Sequence, residues 1–562
     1  MTTFPERLKA LHSRAPEQVA VTLQFAGRDD VPLSYDDLLR GASAYARTLE
    51  QEEIQPGEVV VLILQHGEDL VYSFWGAILH GAIPSIMPFL TEKLSPERYR
   101  ADLAALISVT KPAAIVTYPE FEEEVRAALQ EGDSVRSVIV TNRVEPQSQI
   151  DFALLKGFQC KPEDIVLLQH SSGTTGLQKG VALSHQAVFN QLNSYSKSLS
   201  LNESDVIVSW LPLYHDMGLI AGFLMPTLSC IPLVLISPFD WVRAPYRLLQ
   251  SISKYRGTLT WLPNFAYNFC AQKIRDRHIE GVDLSSLRTV INCSEPVRSE
   301  SHAAFYERFK GYGLKFEALQ TSYAMAENVF GVTQSRLGSV PAVEEIDREA
   351  FMVERVAKIP FDGRPFMKMM SSGQPLENVK VKAIDEHGNE VPERVMGELA
   401  LQSDCMLTGY FNRPDLTEKA FRDGWYLTGD YGYISNGEVF VSGRKKDMII
   451  IGGKNIYPQD LESLTYEVSG VHAGRSVAFG MFDEVQGTEE AVIIAEVDSE
   501  DAEAQQKIAD AIRLHVTKNS AIALRYVKVV GPKWILKTSS GKTARSANKE
   551  KFLHELQADN SL

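Results

Sequence analysis

The chain is poor in the residues that would staple it. Its five cysteines, Cys160, Cys230, Cys270, Cys293 and Cys405, lie far apart with no C-x-x-C pair, which excludes a disulfide framework and a zinc cluster and leaves reduced thiols of a cytoplasmic protein. Positive charge is also short: 57 Lys and Arg face 72 Asp and Glu, a formal charge of −15. Such a surface repels phosphate backbones, so nucleic acid is excluded as the main partner and any phosphate ligand needs a local positive site. The opening residues MTTFPERLKALHSRAPEQ hold no apolar run of secretory-signal length. One stretch, LIAGFLMPTLSCIPLVLI (219 to 236), is long enough for a bilayer, but Pro226 and Pro232 interrupt it. It reads as a buried helix, a break and a buried strand rather than a membrane span.

What is present is an ordinary globular composition, 44% hydrophobic and 23% charged over 562 residues, enough for several domains and a large core. From about residue 58 to 320, short β-branched runs alternate with helical patterns. EVVVLIL, AAIVTY, SVIVT, DIVLLQ, DVIVSW and TVINC read as buried strands, and DLVYSFWGAILHG and SHQAVFNQLNSYSKSL as helices between them. Continuous apolar strands with helical crossovers predict an α/β class with parallel sheets covered by helices. Near residue 380 the pattern turns to short strands with an Asn-Gly hairpin signal at 436 to 437, predicting a small β-subdomain. After the charged RKKD stretch a small α+β unit follows, so we divide the chain into an N-terminal domain, 1–445, and a C-terminal domain, 446–562.

The loop HSSGTTGLQKG (170 to 180) concentrates glycine, hydroxyls and a lysine between a strand and a helix expected from Ser184. Backbone N–H groups freed by glycine, hydroxyl donors and a mobile ammonium suit a nucleotide triphosphate or pyrophosphate. It is no Walker A loop, because Gly180 follows Lys179 where that motif needs Ser or Thr. SGKT (540 to 543) fails too, with Leu536 where glycine is required.

The pairing of SSGTTGLQKG with the distal LKTSSGKTAR resembles the adenylate-forming superfamily of acyl-CoA synthetases, peptide-synthetase adenylation domains and luciferases. NCSEPV, TSYAMAE, GELAL, GWYLTGD and GRKKDMIIIGGKNIYPQDLE follow in the family's order. The resemblance implies a large N-terminal and a small mobile C-terminal domain enclosing a site that joins a carboxylate to ATP, giving acyl-AMP and pyrophosphate. Ser171, Ser172, Gly173, Thr174, Thr175, Gly176 and Lys179 would hold the phosphates, with Glu327 and Thr175 at Mg²⁺. Asp430 and Arg444 would bind the ribose, and Ser294, Glu295, Pro296, Ser322, Tyr323 and Ala324 would border the adenine, with Tyr323 stacked on it. Lys542 would stabilise charge between carboxylate and α-phosphate, His215 would stand at the acyl tunnel, and Lys446 would be the hinge.

Forty-five residues separate Glu327 from Gly373, and the added segment, about Leu337 to Met369, is similar to the insertion of fatty acyl-AMP ligases. In that group the insertion disfavours coenzyme A, so the acyl group passes to the phosphopantetheine thiol of an acyl carrier protein. Trp210, Met217, Trp261, Phe265 and Tyr267 come from segments that border the acyl site in relatives, which implies an apolar acid. Ala324 for the usual glycine, Gln178 for the usual proline, and the stretch 86 to 100 depart from the family pattern. Transfer to coenzyme A, and a non-catalytic nucleotide-binding protein of the same fold, stand as alternatives.

Overall fold

The structure is a computed structural model that describes residues 2–89, 96–171, 179–361, 363, 365–451, 454–472, 474–483, 488–520, 522–538 and 541–559. Two seven-stranded sheets carry the α/β architecture. The first runs Leu319–Thr321, Thr289–Asn292, Leu259–Leu262, Ile207–Ser209, Leu233–Ile236, Val19–Gln24, Val31–Ser34. Its first six strands are parallel, and only the hairpin strand Val31–Ser34 is reversed. The second runs Gly409–Tyr410, Lys179–Ser184, Ile165–Ser171, Ile83–Ile86, Val59–Ile63, Ala114–Thr117, Ser137–Val140. Strands such as VVVLI are buried along their whole length, as expected where helices cover both faces.

Between the glycine-rich loop and the helix expected from Ser184 stands a strand that the sequence pattern did not predict. Lys179–Ser184 is a strand that pairs antiparallel with Ile165–Ser171, placing Ser171 opposite Lys179. A seven-residue connection is too short for a crossover, so the chain must return antiparallel. The helix His185–Ser198 begins directly afterwards, capped by the Ser184 hydroxyl, which accepts from the Ala187 amide.

The central core lies between the two sheets around the helices Tyr35–Gln51 and Glu68–His80. Ser34 and Asp37 close the first helix's N-terminus as a reciprocal capping box, a device worth about 1 kcal/mol. Phe74, Trp75 and Phe223 meet edge to edge or tilted at its centre. The two helices cross closely because Gly76 has no side chain: a Cβ there would stand 2.5 Å from Tyr45 Cβ and 2.7 Å from the Ala42 carbonyl. The stretch 219 to 236 is buried, as a π-helical segment Met217–Leu224, a short helix Met225–Ser229 and the strand Leu233–Ile236. No helix among the described residues is long and apolar enough to cross a membrane.

Beyond these sheets, Val379–Ile384, Gly397–Ser403, Trp425–Ser435, Phe421–Arg422 and Glu438–Arg444 form an antiparallel five-stranded sheet. Its Asn436-Gly437 turn has positive φ at both residues, the conformation a two-residue hairpin demands. The C-terminal strands Ser476–Asp483, Thr488–Glu496 and Leu524–Val530 form a three-stranded sheet packed on the helices Pro458–Tyr466 and Ala502–Ser520. That core contains Ile449, Leu461, Ile493 and Ile512, and Met352 from the added segment enters it. In the same segment Phe351 packs with Tyr433, Phe440 and Tyr457, and the Arg348 guanidinium donates to the Asn519 carbonyl. The added segment therefore joins the five-stranded sheet to the C-terminal unit.

Candidate active site

The strands Leu259–Leu262, Thr289–Asn292 and Leu319–Thr321 end on one rim of the first sheet, and the residues that follow them open a cavity of about 1070 Å³. Ligands of open parallel sheets bind off these carboxyl ends. Here the rim supplies Phe265, then Ser294, Glu295 and Pro296, then Ser322, Tyr323 and Ala324. The five-stranded sheet adds Asp430 and Arg444, and the C-terminal unit adds Lys537 and Lys542. Nine residues expected at the nucleotide or the reacting carboxylate thus border one space although up to 248 positions separate them in sequence, from Ser294 to Lys542.

Asp430 and Arg444 converge because they are cross-strand partners, opposite each other on neighbouring strands. Arg444 Nε lies 3.6 Å from Asp430 Oδ1, and the Tyr323 hydroxyl donates to Oδ2 over 2.6 Å. Thr428 Oγ1 fixes the turn by accepting from the Asp430 amide. Burial pushes the Asp430 carboxyl up, against Arg444 and Tyr323, which favour the charged form.

Lys542 stands on a tight turn whose Thr538 amide donates to the Lys542 carbonyl over 2.7 Å. Gly541, at φ +86°, presses against helix Asn264–Lys273: a Cβ would lie 3.2 Å from the Phe265 ring. This contact seats the C-terminal loop on the rim. Burial lowers the Lys542 ammonium pKa, and Glu295 and Asp216 oppose the shift. Glu295 is the mirror case, raised by burial against Lys542 and the Phe265 amide that donates to it over 3.0 Å.

Neither His215 nor Asp216 lines the cavity; Asp216, whose charge acts on Lys542, has Oδ1 2.9 Å from His215 Nδ1 and accepts from the Met217 amide over 2.8 Å. Burial would raise the Asp216 carboxyl, but His215, Lys542 and that amide hold it below its ordinary value. Asp216 is a site residue that the sequence reading missed, and its adjacency to a candidate histidine was the available signal.

Glu327 and Lys179 are not among the residues lining the cavity, and Lys179 opens the strand at the end of the loop 170 to 180. Glu327 is 9% exposed, accepts from the Tyr410 hydroxyl over 2.9 Å, and is raised by burial against that bond. Lys179 Nζ lies 4.6 Å from the centre of the same Tyr410 ring. No group of three or more His, Cys, Asp or Glu among the described residues could hold a metal unaided. A single buried carboxylate with one neutral donor suits Mg²⁺, which takes its other ligands from phosphate oxygens and water. Ser172, Gly173, Thr174, Thr175 and Gly176 lie outside the described residues, and of Ser171 only its strand position opposite Lys179 is described.

Of the five residues expected along the acyl group, Phe265 alone lines the cavity. Trp210 stacks on Trp241 at 3.5 Å and 7°, with Phe265 edge-on to both, so the three rings form one aromatic cluster of which Phe265 reaches the cavity; Trp241 was not foreseen. Met217 is buried, its sulfur 3.0 Å from that of Cys293. Trp261 donates to the Tyr195 hydroxyl and Tyr267 to the Val290 carbonyl, each fully buried with its polar end satisfied inside the core. Lys446 occupies the short turn Lys445–Asp447 that links the five-stranded sheet to the C-terminal unit.

Comparison with known proteins follows the same lines. The family described as AMP-binding enzyme matches residues 9–411. A medium-chain-fatty-acid–acyl-carrier-protein ligase of Moorena producens is 30% identical over 570 residues, covering 96% of this chain and 93% of its own. A long-chain-fatty-acid–AMP ligase of Mycobacterium bovis is 28% identical, covering 98% and 97%. A structure from work on fatty acyl-adenylate ligases of E. coli and L. pneumophila superposes with a TM-score of 0.89 at 27% identity, over 100% of this chain and 98% of that one. A fatty acyl-adenylate ligase from L. pneumophila in complex with acyl adenylate and pyrophosphate superposes with a TM-score of 0.74 at 28% identity, over 98% and 96%.

Proposed function

Because this chain belongs to the AMP-binding enzyme family, we propose that it activates an apolar carboxylic acid with ATP and passes the acyl group to a carrier-protein thiol. In the first half-reaction a carboxylate oxygen bonds to the α-phosphorus and the bond to pyrophosphate breaks. In the second, the thiol sulfur bonds to the acyl carbon, AMP leaves, and the thiol proton is released. The observation that carries the reading is the convergence of Lys542 with the Tyr323–Asp430–Arg444 group on one cavity.

Tyr323 lies flat against the adenine, and Asp430 with Arg444 binds the ribose. The Lys542 ammonium faces the charge that develops between carboxylate and α-phosphate, where a fixed donor stabilises the transition state more than the separated reactants. Glu295 and Asp216 favour the cationic form of that lysine, opposing its burial. His215, oriented by Asp216, faces the carboxylate end of the acid, and Phe265, backed by the stacked Trp210 and Trp241, borders its apolar chain. Lys179 and the phosphate loop hold the departing pyrophosphate. Glu327, with Thr175, would hold Mg²⁺, which would supply charge neutralisation on the phosphates. Lys446 is the hinge about which the C-terminal unit, 446–562, turns between the two half-reactions. The five free thiols accord with a cytoplasmic setting.

Transfer to a carrier protein rather than coenzyme A is supported by the names of the relatives and by the added segment, which ties the C-terminal unit through Met352 and Arg348. The test is incubation with ATP, Mg²⁺ and a panel of acids, followed by coenzyme A or a holo carrier protein. Acyl transfer to the carrier is expected. Rapid acyl-CoA formation would overturn the acceptor, and ATP binding without acid-dependent pyrophosphate exchange would overturn adenylation.

A further inference from the structure

One residue, Tyr410, touches both groups assigned to the phosphate and metal side of the site. Its ring lies 4.6 Å from Lys179 Nζ, and its hydroxyl is 2.9 Å from Glu327 Oε1 and 3.0 Å from the Tyr426 hydroxyl. A phenol has one proton to give. With the acceptor-only carboxylate of Glu327 taking it, Tyr426 must donate to the Tyr410 oxygen, so the order Tyr426 to Tyr410 to Glu327 is fixed. The side chain is 5% exposed, and its amide donates to Thr417 Oγ1.

The backbone around Tyr410 makes the same connection. Gly409–Tyr410 pairs with the strand that begins at Lys179, Phe411 donates its amide to the Gly180 carbonyl, and Thr408 donates to Ala182. Three residues before Tyr410, Leu407 donates its amide to the Glu327 carbonyl, and seven before it Ser403 Oγ donates to Asn328 Oδ1. Glu327 itself precedes a γ-turn in which Val329 takes φ 62°, ψ −56° and the Phe330 amide reaches back to the Asn328 carbonyl over 2.6 Å. This hand of γ-turn is rare and strained, the more so with a β-branched centre, and persists only where surrounding contacts over-determine it.

Among the described residues Lys179 and Glu327 form no ion pair with each other. A direct pair would occupy the ammonium needed for phosphate and the carboxylate needed for the cation. We propose that Tyr410 is a positioning residue that keeps Lys179 and Glu327 apart, holding the ammonium on its ring face and the carboxylate on its hydroxyl, so that one takes phosphate and the other the divalent ion. The proposal rests on the roles given above to Lys179 and Glu327.

The test is calorimetric titration of the full chain with ATP, with and without Mg²⁺, alongside steady-state adenylation. For Tyr410→Phe, which keeps the ring, metal-free ATP affinity is expected to hold within about twofold, while the affinity gained on adding Mg²⁺ falls about tenfold, the worth of one hydrogen bond to a charged group. The Mg²⁺ concentration for half-maximal rate rises by the same factor, and kcat at saturating Mg²⁺ stays within about twofold. Tyr410→Leu removes the ring as well and weakens metal-free ATP binding several-fold, since a cation–π contact is worth about 0.5–2 kcal/mol. Tyr426→Phe, a change outside the direct contacts, moves the Mg²⁺ gain in the same direction by less. An unchanged Mg²⁺ gain in Tyr410→Phe overturns the proposal. Glu327→Gln then separates the cases: if that variant loses the gain, the metal assignment stands without Tyr410, and if it does not, that assignment falls too.

Discussion

The Tyr323 hydroxyl donates to the Asp430 carboxylate over 2.6 Å, so the ring proposed to stack on the adenine and the carboxylate proposed to receive the ribose hydroxyls form one hydrogen-bonded unit. Asp430→Ala removes a charged acceptor, and its KM for ATP is expected to rise by about ten- to a hundredfold. Tyr323→Phe keeps the ring and should raise KM by less. Its sharper effect is on pH. Burial already raises the Asp430 carboxyl, and the Tyr323 donor is one of the groups restraining the rise. Without that donor the carboxylate is protonated at a higher pH, so the acid limb of kcat/KM for ATP should move upward in Tyr323→Phe. A limb at the wild-type position would contradict the coupling.

Lys542→Ala is expected to bind ATP normally and to lose adenylation by at least about 10²–10³, the usual worth of one donor aimed at developing charge. Near-normal pyrophosphate release from that variant would remove Lys542 from the chemistry. Gly541→Ala tests how the lysine is delivered. The new Cβ meets the Phe265 ring at 3.2 Å from a left-handed backbone position, so kcat should fall while KM for ATP changes little.

Arg298 links the rim to the C-terminal unit, with Nη2 3.3 Å from the Gln459 carbonyl and 3.5 Å from Asp460 Oδ1. Burial raises Asp460, and Arg298 is the first group opposing it. The pair therefore stabilises the arrangement in which Lys542 reaches the cavity. Arg298→Ala should slow acyl-AMP formation several-fold and leave transfer from preformed acyl-AMP unimpaired. Equal slowing of both steps, measured in separate single-turnover assays, would assign the pair to general stability.

Much of this fold is legible in the sequence because its strands are short, continuous β-branched runs that only a doubly covered sheet can bury. EVVVLIL and DIVLLQ each became a strand within two residues of the expected bounds. Lys179–Ser184 escaped because KGVALS has no such run, and one of its two partners, Gly409–Tyr410, lies more than two hundred residues away. The cavity-lining residues Ser294 to Pro296 and Ser322 to Ala324 were legible as motifs that follow strand ends. Tyr410, Trp241 and Asp216 were not, because each matters through a side-chain partner rather than through a spacing; Tyr410 and Glu327 are 83 residues apart. Aromatic content near the acyl site also misled in part, since Trp261 and Tyr267 have their polar ends satisfied deep in the core.

The added segment yields a prediction about the acceptor. Met352 is buried in the C-terminal core, and Arg348 donates to the Asn519 carbonyl. Both anchor the C-terminal unit from outside the turn Lys445–Asp447. Deleting residues 340 to 365 should increase coenzyme A use, and Arg348→Ala with Met352→Ala should do so by less without abolishing acyl-AMP formation. The comparison is acyl-CoA yield against acyl-carrier yield from one pool of acyl-AMP. A ratio unchanged in both variants would mean that the segment has no part in acceptor choice.

Acid stability depends on histidines buried in the neutral state. Burial pulls His302 down to about 3, stacked on Tyr267 at 4.9 Å, and pulls His185 down to about 4, where Nδ1 must stay unprotonated to accept the Phe4 amide. Above pH 6.5 both are neutral in folded and unfolded chains and cost nothing. Below it the unfolded chain takes up protons that the folded chain refuses, so stability falls by about 1.4 kcal/mol per pH unit for each histidine until its folded pKa is reached. Between pH 6.5 and 5 His302 alone should remove about 2 kcal/mol. His302→Phe keeps an aromatic ring beside Tyr267 and abolishes that titration, so its unfolding free energy should fall by about 2 kcal/mol less than wild type over the same interval. Parallel pH profiles of the two proteins in denaturant unfolding would show that His302 does not set the acid limit.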